Sequence, residues 1–116
     1  MRRGFAHEAL IELAADADQQ APGAAVTVAL CGHWEHAGTC RWSHRTSVVT
    51  RSGPSLRVRV VFAAAPDEEI AVRRLISDAL DQGRLDTEPQ PSRWTVTAQG
   101  PAGLSAAEAR LADRIG

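Results

Sequence analysis

Residues 56–69, LRVRVVFAAAPDEE, contain the clearest strand-to-helix transition in this chain of 116 residues. Apolar residues alternate with Arg57 and Arg59 at its start, so one face of a predicted strand is apolar and the other carries two neighbouring arginines. Pro66 then occupies a first helical position, and the three carboxylates after it favour the positive end of a helix dipole. The segment therefore predicts a half-buried strand followed by a helix that runs to about Gln82.

Apolar spacing and turn residues predict the other elements in the same way. They are a helix over 5–17, strands over 25–31, 46–50 and 94–98, and a helix over 105–115 that opens with a serine-then-glutamate capping box. Each predicted strand has one apolar and one polar face. The order α-β-β-β-α-β-α therefore predicts a single α+β domain over residues 1–116, with a four-stranded, mostly antiparallel sheet and helices packed on one face.

The first five predicted elements, over about residues 5–82, resemble the topology of double-stranded RNA-binding domains. In that family the second helix presents basic residues at its N-terminus to phosphates. In this chain Asp67, Glu68 and Glu69 hold the matching position. Because three carboxylates repel an RNA backbone, the resemblance predicts a layout and does not extend to that function.

The charge distribution says more than the net charge of -1. No acidic residue lies between His36 and Pro66, a segment that contains the arginines Arg41, Arg45, Arg51, Arg57 and Arg59. The middle of the chain is therefore locally basic. No apolar stretch is long enough for a membrane span and no export signal is evident, so we expect no membrane association and a reducing, cytoplasmic setting.

Residues 31–44, CGHWEHAGTCRWSH, contain both cysteines of the chain and three of its four histidines. Zinc takes thiolate and imidazole ligands in a tetrahedron, and the segment offers five such groups. The spacing of Cys40 and His44, and the gap that separates Cys40 from Cys31, resemble CCCH-type zinc fingers, although the middle cysteine of that motif is missing. The predicted ligands of a structural zinc ion are Cys31, His33, Cys40 and His44, with His36 as an alternate.

The cysteines and histidines of this segment also fit roles without a metal. Cysteine is among the most buried residue types, so the two thiols can be core residues while the histidines are exposed or hydrogen-bonded. A disulfide between Cys31 and Cys40 is a further possibility in a setting that permits oxidation.

The same segment and the basic strands predict a contact surface. Tryptophan rings beside guanidinium groups suit stacking and anion contact, so the surface fits a protein partner, self-association, or a nucleic acid or other anionic ligand. The predicted contact residues are Trp34, Arg41, Trp42, Arg45, Arg57 and Arg59. Alternatively, the tryptophans cover the sheet and the arginines only keep its exposed face soluble.

The histidines and the glutamate of this segment do not fit the known catalytic motifs that they partly resemble. The run from His33 to Glu35 has the H-x-E form of zinc deaminases, but the P-C-x-x-C that must follow is absent. The histidine spacing also fails the H-E-x-x-H pattern of metalloproteases. A small metal-dependent hydrolase that uses Glu35 as its base remains an alternative, and the sequence favours a non-catalytic binding domain.

Overall fold

The structure, a computed structural model, describes residues 1–31 and 41–115. The elements are β1 (Arg3–Leu13), α1 (Ala21–Cys31), β2 (His44–Ser52), β3 (Ser55–Ala64), a 3-10 turn (Pro66–Glu68), α2 (Glu69–Asp81), β4 (Arg84–Leu85), β5 (Ser92–Ala102) and α3 (Ala106–Ile115). The strands form one antiparallel sheet in the order β2-β3-β1-β5-β4. None of the helices in these two ranges is both long and apolar enough for a membrane crossing.

The strand order is that of a split β-α-β, or ferredoxin-like, arrangement, in which β3 separates β1 from β2 and β1 separates β3 from β5. We call the face of the sheet that packs against α1 and α2 the inner face, and the opposite one the outer face. Helix α3 contacts β1 and β3 on the outer face. Helices therefore lie on both sides of the sheet, so the prediction that they pack on one face is wrong, and only part of the outer face is covered.

The inner-face core is built from alternate strand residues and from the apolar sides of α1 and α2. It includes Ile11 and Leu13 of β1, Val58 and Phe62 of β3, and Trp94 of β5. The register between β1 and β3 places these alternate residues on one side and leaves the residues between them on the other. The apolar and polar faces predicted for 56–63 are confirmed.

The α+β class and the antiparallel sheet are confirmed, but the sheet has five strands and not four, and the first two elements are exchanged. Residues 5–17, predicted as a helix, largely form β1, and residues 25–31, predicted as a strand, lie in α1. The layout that resembled RNA-binding domains is therefore wrong, because a strand and then a helix stand where that layout has a helix and then a strand. The short strand β4 was not predicted.

The two errors have physical causes. In β1, the apolar residues satisfy a helical spacing, but they also alternate, and pairing with β3 and β5 on both sides selects the extended form. Helix α1 is apolar around most of its circumference and largely buried, so its valines resemble a strand in sequence. Pro22, in its first turn, is the signal that favours a helix.

Gly83 ends the helix α2 and lets the chain turn back to the sheet. Its φ is +66°, its amide donates a hydrogen bond to the Leu80 carbonyl, and its own carbonyl accepts one from the Trp94 amide. A Cβ at this position would lie 2.5 Å from the Trp94 carbonyl oxygen. Glycine is therefore required here both by backbone conformation and by space.

We expect Gly83→Ala to lower the free energy of unfolding by about 1–3 kcal/mol, because the variant combines a left-handed conformation with a backbone clash. Chemical denaturation monitored by tryptophan fluorescence measures this change. Gly100→Ala is the matched control, since a Cβ at Gly100 meets nothing within 4 Å. Equal losses in the two variants would contradict the requirement for glycine at position 83.

Candidate functional site

The outer face of the sheet carries arginines from three strands. They are Arg45 of β2, Arg57 and Arg59 of β3, and Arg93 of β5, each of which alternates with an inner-face residue. Arg45 pairs in register with Val61, next to Arg59, and Thr50 of β2 pairs with Arg57. The predicted placement of Arg57 and Arg59 on the outer face is confirmed.

Arg59 is held by residues from three separate parts of the chain. Its Nε and Nη2 each donate a hydrogen bond to one oxygen of Glu108 at 2.8 Å, and its Nη1 donates one to Glu8 at 2.7 Å. Its Nη2 also donates to the Gly103 carbonyl at 2.7 Å. The Arg59 side chain is 17% exposed. This two-pronged contact with Glu108 is the strong form of an arginine–carboxylate pair.

The contact between Arg59 and Glu108 shifts the pKa values of both groups. The hydrogen bonds from Arg59 lower the pKa of Glu108 to about 2, and the carboxylates of Glu108 and Glu8 raise the pKa of Arg59. Because the folded pKa of Glu108 lies below its ordinary value of 4.5, its stabilising effect is present above pH 4.5 and is lost as the pH falls toward 2.

Three outer-face arginines stay available to a partner. Arg45, Arg57 and Arg93 are exposed, and none of them contacts a carboxylate within residues 1–31 and 41–115. Arg93 also pairs in register with Arg84, another exposed arginine, which bonds to Asp86 at 3.1 Å. Like charges directly opposite each other destabilise a sheet, so fold stability gives no reason for this pair.

The uncovered end of the outer face contains a shallow depression of about 260 Å³. Leu10, Thr50, Arg57 and Thr97 are among its lining residues, and Leu10 is 39% exposed. An exposed leucine beside an arginine and two hydroxyl groups provides both apolar and hydrogen-bonding contacts. Glu12 also lines the depression, so a carboxylate lies there beside the guanidinium group. This end of the face can therefore accept a side chain that has an apolar stem and a polar end.

A larger cavity, of about 450 Å³, lies between the start of α1 and the loop after β4. Its lining includes Ala21 and Val28 of α1 together with the carboxylates of Asp18, Asp86 and Glu88. The Asp18 carboxylate accepts a hydrogen bond from a backbone amide near the start of α1. The Asp18 carboxylate thus already has a structural contact in this cavity. We therefore place the candidate site on the outer face, although the cavity is larger than the depression there.

Arg41 and Trp42 lie just after the undescribed segment. The Arg41 guanidinium stacks over the Trp42 ring at 4.4 Å, and its Nη2 lies 3.9 Å from a Glu68 oxygen. The Arg41 side chain is 72% exposed, whereas Trp42 is 7% exposed and belongs to the inner-face core. The Ala65 amide and, less strongly, the charges of Arg41 and other neighbours lower the pKa of Glu68.

Two of the predicted zinc ligands lie in the described part of the chain. Cys31 ends α1 and is disulfide-bonded. His44 begins β2; its Nδ1 donates to the Trp42 carbonyl at 3.2 Å, and its Nε2 lies 3.1 Å from the Thr27 hydroxyl. Thr27 and Cys31 are four residues apart, so they lie on one side of α1. His44 therefore contacts α1 one helical turn before Cys31.

The remaining predicted residues of this segment lie outside the described residues. They are His33, Trp34, Glu35, His36 and Cys40. Within 1–31 and 41–115, no group of three or more His, Cys, Asp or Glu side chains is arranged to hold a metal ion. The zinc site and the hydrolase that would use Glu35 stay predictions.

His7 is a buried polar residue that the sequence patterns did not single out. It is 2% exposed on the inner face, and its Nε2 donates a hydrogen bond to Gln99 Oε1 at 2.9 Å. The amide nitrogen of Gln99 in turn donates to Asp81 at 2.9 Å. Burial lowers the pKa of His7, the charge of Arg73 lowers it further, and the bond to Gln99 partly opposes both effects.

Sequence reasoning also missed two outer-face residues. Arg93 lies between Ser92 and Trp94, and strand alternation alone places it opposite the tryptophan, so a signal was present in the sequence. Glu108 gave no such signal, because its contact with Arg59 joins residues that are 49 positions apart.

Comparisons of this chain with protein families, with characterised proteins and with solved structures find no match.

We expect the free energy of unfolding to fall as the pH drops below about 6.5, the ordinary pKa of histidine, because the unfolded chain then binds a proton that folded His7 resists. One such proton changes stability by at most about 1.4 kcal/mol per pH unit. Chemical denaturation at a series of pH values from 8 to 5 measures this slope. His7→Gln should flatten it, and an unchanged slope in that variant would contradict the role of His7.

Proposed function

We propose that this chain is a non-catalytic binding domain whose outer sheet face binds an acidic segment of a protein partner. Arg45, Arg57 and Arg93 supply the positive charge, and the depression beside Leu10 accepts an apolar group. The observation that carries the proposal is the exposure of these three arginines without carboxylate partners in the described residues.

The contact between Arg59 and Glu108 supports carboxylate as the recognised group. On the same face, two residues along the strand from Arg57, Arg59 already binds a carboxylate through two parallel hydrogen bonds of 2.8 Å. Arginine is suited to this planar, two-pronged recognition. Arg45 and Arg57 flank Arg59 on the same face and can bind carboxylates in the same manner.

An acidic protein segment fits the face better than a nucleic acid does. Single-stranded nucleic acids are held by stacked aromatic rings, but the described aromatic residues Phe5, Trp42, Phe62 and Trp94 belong to the inner-face core or pack against it. The central strand β1 also places Glu8 and Glu12 between the arginines of β3 and Arg93 of β5. These carboxylates divide the arginines into separate positive sites, which the side chains of an acidic segment can contact singly, whereas a phosphate backbone requires a continuous positive path.

A direct test measures binding of fluorescein-labelled poly-L-glutamate to the full chain by fluorescence anisotropy at several salt concentrations. We expect Arg57→Glu to weaken binding by about tenfold, because the substitution replaces an attractive charge by a repulsive one at one of the three proposed contact arginines. Binding by the unaltered chain should also weaken as salt rises.

Arg74→Glu is the matched control, since Arg74 is an exposed arginine of α2 on the other side of the sheet. It makes the same change in net charge and should leave affinity within about twofold of the unaltered chain. Equal losses in the two variants would show that only net charge matters and would overturn the proposed site. Arg57-dependent binding of oligothymidylate, but not of poly-L-glutamate, would overturn the choice of a protein partner.

A structural zinc ion held by Cys31, His33, Cys40 and His44 is a second candidate function for the segment 31–44. The contact of His44 with Thr27, one helical turn before Cys31, favours it. Since a sulfur in a disulfide is not a thiolate ligand, the zinc proposal applies to the reduced chain. His44 would exchange its contact with Thr27, or that with Trp42, for the metal.

We expect the reduced chain, purified without a metal-binding tag, to contain about one zinc ion per chain, measured by elemental analysis. His44→Ala should lower the zinc content, because it removes one ligand, whereas Thr27→Ala should retain zinc. Reduced protein that contains no zinc and takes up none on addition of zinc chloride would overturn this candidate.

A further inference from the structure

Helix α3 covers one end of the outer face, and its Glu108 accepts two hydrogen bonds from Arg59. The face beneath it contains Ala6, Val61 and Ala63, which are all buried although they lie on the side of the sheet away from α1 and α2. Arg45 pairs in register with Val61, so one available arginine lies at the border of the covered region. The α3 contact and the proposed binding surface are therefore parts of one continuous face.

The packing of α3 is thin compared with that of the two inner-face helices. Ala112 is its one fully buried residue, at 4% exposure, and it packs against Gly4 of β1. A ten-residue helix is marginal in water without tertiary contacts. Its docking thus depends on the close approach at Ala112 and on the two hydrogen bonds between Arg59 and Glu108.

The sheet-facing residues of α3 define the chemistry that this end of the face accepts. Glu108, Leu111, Ala112 and Ile115 are the least exposed positions of the helix and follow the i, i+3, i+4, i+7 spacing of one helical side. The covered end thus binds a helix that presents one carboxylate, then a small residue against Gly4, with larger apolar residues on either side of it.

We propose that α3 is an intramolecular competitor, and that the partner is an acidic amphipathic helix which displaces α3 and binds Arg59 in place of Glu108. This inference rests on the proposed function and extends the same surface from Arg45 and Arg57 to Arg59. Displacement breaks no strand pairing, because α3 follows β5 at the end of the described chain. The partner helix replaces both the carboxylate and the apolar contacts that α3 gives up.

The test uses a fluorescein-labelled peptide with the sequence of residues 104–115, LSAAEARLADRI, whose side chains carry no net charge. It is added to the full chain as a model of an amphipathic helix that presents one carboxylate to the sheet. Two substitutions in the full chain release its own α3 and leave the site on the sheet intact. Glu108→Gln removes the carboxylate that binds Arg59, and Ala112→Leu adds bulk against Gly4 without changing charge.

We expect each of these variants to bind the peptide about tenfold more tightly than the unaltered chain does, since release of α3 raises the fraction of molecules whose site is open. Asp113→Asn is the matched control for Glu108→Gln, because Asp113 is an exposed residue of α3 and makes no contact with Arg59. It should leave the affinity unchanged. A peptide with glutamine at the position of Glu108 should bind more weakly.

No gain in either releasing variant, or an equal gain in Asp113→Asn, would overturn the competitor role of α3. The poly-L-glutamate measurement on the same proteins separates this outcome from failure of the proposed function. Arg57-dependent binding of poly-L-glutamate without a gain in the releasing variants leaves the outer face as the binding surface and removes only the role of α3.

Discussion

Pairing of β1 with β3 on one side and with β5 on the other is the constraint that determines most of this structure. Once β1 is the central strand, its alternate residues separate into an inner set, buried under α1 and α2, and an outer set that contains Glu8. The same register places Glu8 opposite Arg59. The outer-face ion pairs therefore follow from the strand pairing that builds the core.

Arg59 connects that sheet to α3. Exposed ion pairs contribute little individually, about 0–1 kcal/mol, but the Arg59 guanidinium is largely shielded from solvent and makes four hydrogen bonds at once. The close approach of Ala112 to Gly4 adds an apolar contact that only small residues allow. The combination holds a short helix in place without burying much of it, which is the property that permits exchange with another helix.

Local patterns in the sequence were enough to predict β2, β3, α2, β5 and α3, because each of these elements has a single periodicity and clear boundary residues. They were insufficient for β1, whose apolar residues satisfy two periods, and for α1, whose apolar character on most sides conceals its helical period. In both cases tertiary contacts decide the structure: β1 pairs with two neighbouring strands, and α1 packs against α2 and against the sheet.

For the candidate site, alternation in 56–63 was sufficient to predict that Arg57 and Arg59 share the outer face, and it could not distinguish their roles. The distinction depends on Glu108, which lies 49 residues from Arg59 in sequence and reaches it only because α3 lies on the outer face. The same limit applies to Trp42, because its neighbours in sequence do not indicate that it belongs to the inner-face core.

The role of the outer face as the binding surface of this domain can be tested by recording amide chemical shifts of the ¹⁵N-labelled chain during a titration with poly-L-glutamate. We expect the largest shifts in β2, β3 and β5, around Arg45, Arg57 and Arg93, and in α3. Shifts concentrated in α1 and α2, with the outer-face strands unchanged, would show that the ligand binds elsewhere and would contradict the proposed surface.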